Sequence, residues 1–280
     1  MKHRWKSALY LAMHPRILPG VLLTKVMSQK NLRETLYRYI DLQDHFKHRQ
    51  PLQDCVPPAA LRYRVHGDLS VDSFLGSGTQ CAQDIKEALA KVGKDLQSFQ
   101  RILDFGCGCA RTMIGLRGIA PSLPLVGTDI DTEAMSWCRR HLHFASFETN
   151  DALPPLKHPS GTFDLIYAIS VFTHLNEEYQ FAWLRELERV TQSKGYVLLT
   201  VHGNYYWDGM LPQDLSELQK TGYLFKDGPR SMRDLFPDWY QTAFHTETYV
   251  LSHYSKHFDV LAYIPSGMDH CQDVVVLQKR

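Results

Sequence analysis

One run of ten residues constrains this chain more than any other: Ile102-Leu103-Asp104-Phe105-Gly106-Cys107-Gly108-Cys109-Ala110-Arg111. A short apolar strand ends in an acid, two glycines follow at G-x-G spacing, and a helical pattern opens behind them. Glycine at 106 permits a tight turn, and glycine at 108 lets a ligand approach the backbone. The N-terminus of the helix that follows favours a negative group. A second acid, Asp129, ends the next strand, 25 residues after Asp104. An acid in that place accepts hydrogen bonds from both hydroxyls of a ribose.

The rest of the pattern agrees with a strand-loop-helix alternation. Apolar runs at Leu125–Asp129, Phe144–Phe147, Phe163–Ala168 and Tyr196–Val201 are separated by helical stretches at Ala110–Ala120, Thr132–Leu142 and Glu177–Thr191. Strands alternating with helices of about 10–15 residues predict a mostly parallel sheet covered on both faces. Further on, Thr246–His257 reads as a helix. Phe258–Ile264 and Val274–Gln278 read as two strands joined by a loop at Pro265 and Gly267, short enough for an antiparallel pair. The expected architecture is therefore α/β and Rossmann-like, a seven-stranded sheet with an antiparallel last strand.

Two segments fall outside that alternation. Residues 1–69 read as a basic helical extension and linker, with a capping-box pattern at Asn31 and Glu34, a helix that stops near Pro51, and a Cys55-Val56-Pro57-Pro58 turn. Val71–Val92 then forms a long amphipathic helix ended by Gly93, opening the main domain at 70–280. Residues 203–245 contain a helix near Gln213–Lys220 but otherwise read as loops rich in Gly, Pro and aromatics, among them Tyr205, Tyr206, Trp207, Tyr223, Tyr240 and Phe244. A connection that long predicts a lid or binding wall.

Composition limits the partners. The formal net charge is +1, so the molecule as a whole has no nucleic-acid-type charge balance. The first 33 residues nevertheless carry +7, which points to an anionic partner or a peripheral membrane contact through 1–33, or else to a solvated basic head. The apolar stretches Ser7–Met13 and Ile17–Leu23 are broken by His14-Pro15-Arg16 and Pro19-Gly20, too short to span a bilayer and poor as a signal peptide. Six cysteines with no C-x-x-C pair and no histidines at zinc-ligand spacing suggest no metal and a reducing compartment, so a cytoplasmic enzyme is expected.

At this point the chain resembles a known family, the class I S-adenosylmethionine-dependent methyltransferases. The run 102–111 is similar to the family's first motif, and Val126-Gly127-Thr128-Asp129-Ile130 resembles the second, whose acid holds the ribose. Asn150-Asp151-Ala152-Leu153-Pro154 resembles the third, whose acid caps the adenine amino group beside a small residue. Phe163 to Ser170 resembles the fourth strand and its active-site edge, and Trp183 to Thr200 the helix, glycine turn and fifth strand. One departure is Ala110, where the family often has a third glycine. The resemblance implies S-adenosylmethionine as cofactor, held by Asp104, Gly106, Cys107, Gly108, Arg111, Asp129, Ile130, Asp151, Ala152 and Ser170. Arg111 has two equal readings, fixing the loop or meeting the methionine carboxylate.

Two other readings compete. A nicotinamide or flavin site wants its third small residue at 111, where this chain has Arg. A non-catalytic binding protein on the same fold would be expected to have lost Asp104 or Asp129. Within the methyltransferase reading, the fourth strand runs into Ile169-Ser170-Val171-Phe172 and lacks the N/D-P-P-Y/F of enzymes acting on base amines. No double-Glu loop and no RNA-binding module is legible. A small-molecule acceptor follows: a sugar, a lipid-linked compound or a secondary metabolite. O-methylation is favoured because His174, just past the fourth strand, is available as a general base, although a helix-start histidine bonded to a carbonyl would look the same. His202 and His245 are weaker candidates for that role.

Overall fold

The computed structural model describes residues 26–47, 55–226 and 240–280, which fall into two compact units. The first, described over 26–47 and 55–70, holds helix α1 (Lys30–Lys47) and helix α2 (Ala59–His66). Its core is small: Met27, Leu36, Tyr37, Ile40 and Ala59. The buried Arg62 organises it by donating to the carbonyls of Pro57 and Leu69 and pairing with Asp44. Helix α1 begins at Lys30, so Asn31 lies inside it and does not cap it. The turn expected after Cys55 leads directly into α2, a helix whose periodicity is too short to read. Of the basic head, Lys2, Arg4, Lys6, Arg16 and Lys25 lie outside the described residues, and Arg33 is buried, donating to the Met27 carbonyl. No described helix is long and apolar enough to cross a membrane.

The second unit opens with α3 (Val71–Lys91) and carries β1 (Ile102–Phe105), α4 (Arg111–Ile119), β2 (Leu125–Asp129), α5 (Thr132–His141) and β3 (Ala145–Thr149). After these come β4 (Phe163–Ala168), α6 (Glu177–Val190) and β5 (Thr191–Val201). The chain closes with α7 (Pro212–Thr221), β6 (Tyr223–Lys226), β7 (Thr242–His245), α8 (Glu247–Tyr254), β8 (Asp259–Met268) and β9 (Gln272–Gln278). Seven strands form one sheet in the order β3-β2-β1-β4-β5-β9-β8. Only β9 runs against the others, pairing antiparallel with both β5 and β8.

Helix ends are set by local chemistry. Asp131 caps α5 by accepting from the Glu133 and Ala134 N–H groups, Asn176 caps α6 through Tyr179, and Thr246 caps α8 through Tyr249. Pro212 starts α7, and Gly222 at φ +82° ends it. Helices α3 and α4 pack with glycine against backbone: a Cβ on Gly115 would sit 2.1 Å from the Gly78 carbonyl oxygen. The central strands are buried on both faces, and Phe105, Phe172, Trp183, Leu187 and Val201 belong to one continuous core.

Two details depart from the sequence pattern. Pro265 and Gly267 do not form the turn between the last strands. They lie inside β8, where the register slips between Ile264 and Met268, and the turn falls at Asp269 and His270, both at positive φ. An edge strand tolerates the missing N–H of Pro265, and Asp273 pins the irregularity by accepting from the Ser266 N–H at 2.8 Å and the Tyr263 hydroxyl at 2.6 Å. The aromatic segment 203–245 is also more ordered than its loops suggested. Strands β6 and β7 pair antiparallel as a separate two-stranded ribbon. Trp239 and its neighbours at 227–239 lie outside the described residues.

Candidate active site

The strand order reverses between β1 and β4: the chain builds outward through β2 and β3, then crosses back. Ligands of open α/β sheets bind in the crevice beyond the strand ends at such a reversal. Two loops meet there. One follows β1 and holds Gly106 at φ +79° and Gly108 at φ +52°. The other follows β4 and runs from Ser170 to Leu175. They touch so closely that a Cβ on Gly106 would lie 2.3 Å from Val171 Cγ2.

The glycine loop is fastened by its own backbone. The N–H groups of Gly106 and Cys107 both donate to the Thr128 carbonyl, which ties the end of β1 to the end of β2. Asp129 Oδ2 accepts from the Gly108 N–H at 2.7 Å, and Oδ1 accepts from the Asp131 N–H at 2.8 Å. The carboxylate is thus oriented by two donors while each oxygen keeps a further lone pair. Burial raises its pKa, against the pull of those two N–H groups. Ile130 follows it, exposed.

Asp104 is buried at the end of β1, and its Oδ2 has no hydrogen-bond partner among the described residues. Burial pushes its pKa up to about 8; the Tyr167 hydroxyl beside it pulls the other way. Cys107 is buried against Met135, its Sγ 3.9 Å from the thioether, so the thiol packs. Arg111, the first residue of α4, donates to Ser77 Oγ on α3, and Ser77 in turn donates to Asp269 at 2.8 Å. That chain of bonds holds α4 to α3 and to the β8–β9 turn.

The third-motif residues lie beyond β3. Asp151 is exposed, with its carbonyl accepting from the Asn150 amide at 2.8 Å, and the Ala152 carbonyl accepts from the Trp183 indole at 3.1 Å. Ser170 sits at φ +58°, donates its N–H to Thr200 Oγ1 at 2.8 Å, and accepts at Oγ from the Gln272 amide at 2.7 Å.

His174 lies on the same loop as Ser170, half-buried. Its Nδ1 is 2.7 Å from the Gln241 carbonyl, and its ring stacks on Tyr240 at 4.5 Å and 22°. A carbonyl only accepts, so Nδ1 carries the proton and Nε2 holds a lone pair. Burial lowers the pKa of this imidazole, against the pull of the Gln241 carbonyl. The Tyr240 hydroxyl donates to the Ser170 carbonyl at 3.4 Å, and the Asp129 charge adds to burial in raising its pKa. Tyr240 therefore ties the Ser170 carbonyl to the histidine ring.

His202 and His245 lie nearby, on β5's end and on β7. His202 has its Nδ1 3.2 Å from the Ala243 carbonyl. His245 is a core residue: its Nε2 is 3.0 Å from Gln180 Oε1. Because the Gln180 amide donates to the Phe172 and Leu175 carbonyls, its Oε1 is the acceptor for His245 and for the Tyr254 hydroxyl. Gln180, Tyr240 and Gln272 are residues that motif reading passes over. Tyr240 was legible only as one of the aromatics of 203–245, and Gln180 only as a polar residue on the apolar face of α6 with Trp183, Leu184 and Leu187.

Burial depresses the His245 pKa to about 3, against an ordinary 6.5, and His202 adds to the shift. The unfolded chain takes up a proton below about pH 6.5 that the folded protein refuses until about pH 3. The stability this contributes is complete above the unfolded value and drains as pH falls. The expected slope is about 1.4 kcal/mol per pH unit between pH 6 and pH 4. In urea titrations across that range, wild type should lose stability faster than His245→Gln by this amount. Parallel curves would show that His245 is not held neutral.

Residues 102–195 match the family model described as a methyltransferase domain. Two solved structures share the fold. A protein from Pyrococcus horikoshii aligns with a TM-score of 0.51 and 17% identity over 78% of this chain and 98% of its own. A glycopeptide N-methyltransferase in complex with S-adenosylmethionine aligns at 0.51 and 14%, over 72% and 93%. Residues 102–195 are thus a methyltransferase domain, and the chain shares the fold of these solved structures. With the methyltransferase domain goes S-adenosylmethionine as the cofactor. The residues present fit that group: a buried acid with an orphaned oxygen, a loop that a Cβ would fill, and an oriented carboxylate at the end of β2.

Proposed function

We propose that this enzyme methylates a hydroxyl of a small-molecule acceptor, with His174 as general base. The observation that carries this reading is the imidazole itself. Its Nδ1–H donates to the Gln241 carbonyl, which leaves Nε2 as the basic atom, on the loop that touches the glycine turn. The sulfonium supplies an activated methyl group when the cofactor is bound. Asp129 and Asp104 would hold the cofactor's ribose side, and Asp151 with Ala152 would border its adenine. His174 Nε2 takes the hydroxyl proton as the oxygen attacks, and its lowered pKa keeps the ring neutral and ready at pH 7. The described parts of 203–245 supply an aromatic wall that excludes water. Near-neutral charge and the absence of a base-amine motif after β4 support a small acceptor over nucleic acid.

Calorimetric titration with S-adenosylmethionine and with NADH tests the cofactor half. The sulfonium cofactor should bind and NADH should not, and Asp129→Ala should weaken binding about 10- to 100-fold through the loss of charged hydrogen bonds. An acceptor screen that follows S-adenosylhomocysteine release tests the base. A hydroxyl acceptor turned over by wild type should lose about 10²- to 10⁴-fold in kcat with His174→Gln, with cofactor binding intact. Full activity in that variant would exclude His174 as the base.

A further inference from the structure

One stretch of backbone sets two histidines at once. The carbonyls of Gln241, just before β7, and of Ala243, inside it, accept from Nδ1 of His174 and of His202. Both imidazoles are therefore fixed in one tautomer, with the proton on Nδ1 and a lone pair on Nε2. The two rings meet edge to face, their centroids 5.9 Å apart.

Neither Nε2 has a hydrogen-bond partner among the described residues, and neither is sealed from solvent. This is unusual for His202, whose side chain is more than nine-tenths buried. The His245 ring makes the contrast. Its Nδ1 is both orphaned and sealed inside the core, out of reach of any ligand. Aromatic rings flank the open pair: Tyr240 stacks on His174, and Tyr206 packs on His202 at 4.1 Å.

We infer that His174 and His202 form a two-point acceptor, and that the methyl acceptor is a flat ring bearing two hydrogen-bond donors. One donor is the hydroxyl that His174 deprotonates. The other is held by His202 Nε2 and is not methylated in that binding mode, so His202 decides which of two hydroxyls faces the transfer. A ring with a single hydroxyl would leave the His202 Nε2 in a dried pocket without a donor, a penalty that selects against it. This inference rests on the proposed O-methylation only for the fate of the first hydroxyl. The pairing of the two rings is independent of it.

The test uses full-length protein with ¹⁵N-labelled histidine and reads the ring nitrogens by long-range ¹H–¹⁵N NMR. His174→Gln and His202→Gln assign the signals. Both rings should show a protonated Nδ1 and a pyridine-type Nε2. Catechol, with two adjacent hydroxyls, should shift both Nε2 signals. Guaiacol, with one hydroxyl methylated, should shift one, and 1,2-dimethoxybenzene neither. His202→Gln should weaken catechol binding about tenfold, to the level of guaiacol. An Nε2-protonated ring at either position overturns the inference, as does catechol that moves one signal or none. Zinc that shifts both Nε2 signals and cannot be displaced by catechol would reassign the pair to a metal. If these shifts appear while S-adenosylmethionine fails to bind, the two-point site stands and the methyl-transfer reading falls. If the cofactor binds and the shifts are absent, the reverse holds.

Discussion

Replacing Gln180 with leucine should cost about 3–5 kcal/mol of folding stability, seen as a lower urea midpoint with little change in slope. The side chain is 1% exposed and makes four hydrogen bonds, two as donor and two as acceptor. Leucine fills a similar volume but strands the Phe172 and Leu175 carbonyls, the His245 N–H and the Tyr254 hydroxyl together. Each unpaired buried group costs about 1–3 kcal/mol, and partial relaxation keeps the total below the simple sum. Those two carbonyls flank His174, so the variant should also lose turnover of any hydroxyl acceptor beyond its loss of stability. A change under about 1 kcal/mol would mean that the network is not closed in solution.

The second large effect concerns Gly106. Alanine there must hold φ +79° and place its Cβ 2.3 Å from Val171 Cγ2. The left-handed conformation costs about 1–2 kcal/mol, and forcing the two loops apart about 1–3 more. Thermal unfolding should register a loss of about 2–5 kcal/mol, and cofactor affinity should fall at least tenfold because the displaced loop carries Gly108 and its bond to Asp129. A double-mutant cycle separates the terms. Val171→Ala in the Gly106→Ala background should restore the steric part and leave the backbone part. No recovery would locate the whole cost in the dihedral.

The glycine turn after β1 and the acids at the ends of β1 and β2 were written in the sequence because such a loop depends on backbone. A glycine that must turn, a glycine that must not cover a ligand, and an acid at a strand end all leave fixed spacings behind them. The strand at Phe163–Ala168 was legible to the residue for a similar reason: a parallel strand buried from Leu165 to Ala168 needs an apolar run there. The ribbon β6–β7 was not, because four-residue strands with half-exposed faces carry no period. Helix α2 escaped notice for the same want of length. The surroundings of His174 were least visible. His174 stood out as a histidine past a strand, but its tautomer is set by a carbonyl, and every residue has one.

That dependence has a consequence for how the enzyme can fail. The Gln241 carbonyl lies 67 residues from the ring it orients, just before the second strand of a ribbon outside the seven-stranded sheet. The glycine turn and Asp129, by contrast, are fastened within a span of 21 residues to the central sheet. Local opening of the ribbon would free both imidazoles to switch tautomer while the cofactor pocket stayed intact. Mild heat, dilute denaturant or a nick in that ribbon should therefore yield a protein that still binds its methyl donor and no longer uses it. Binding and turnover would be lost at different temperatures, with turnover failing first.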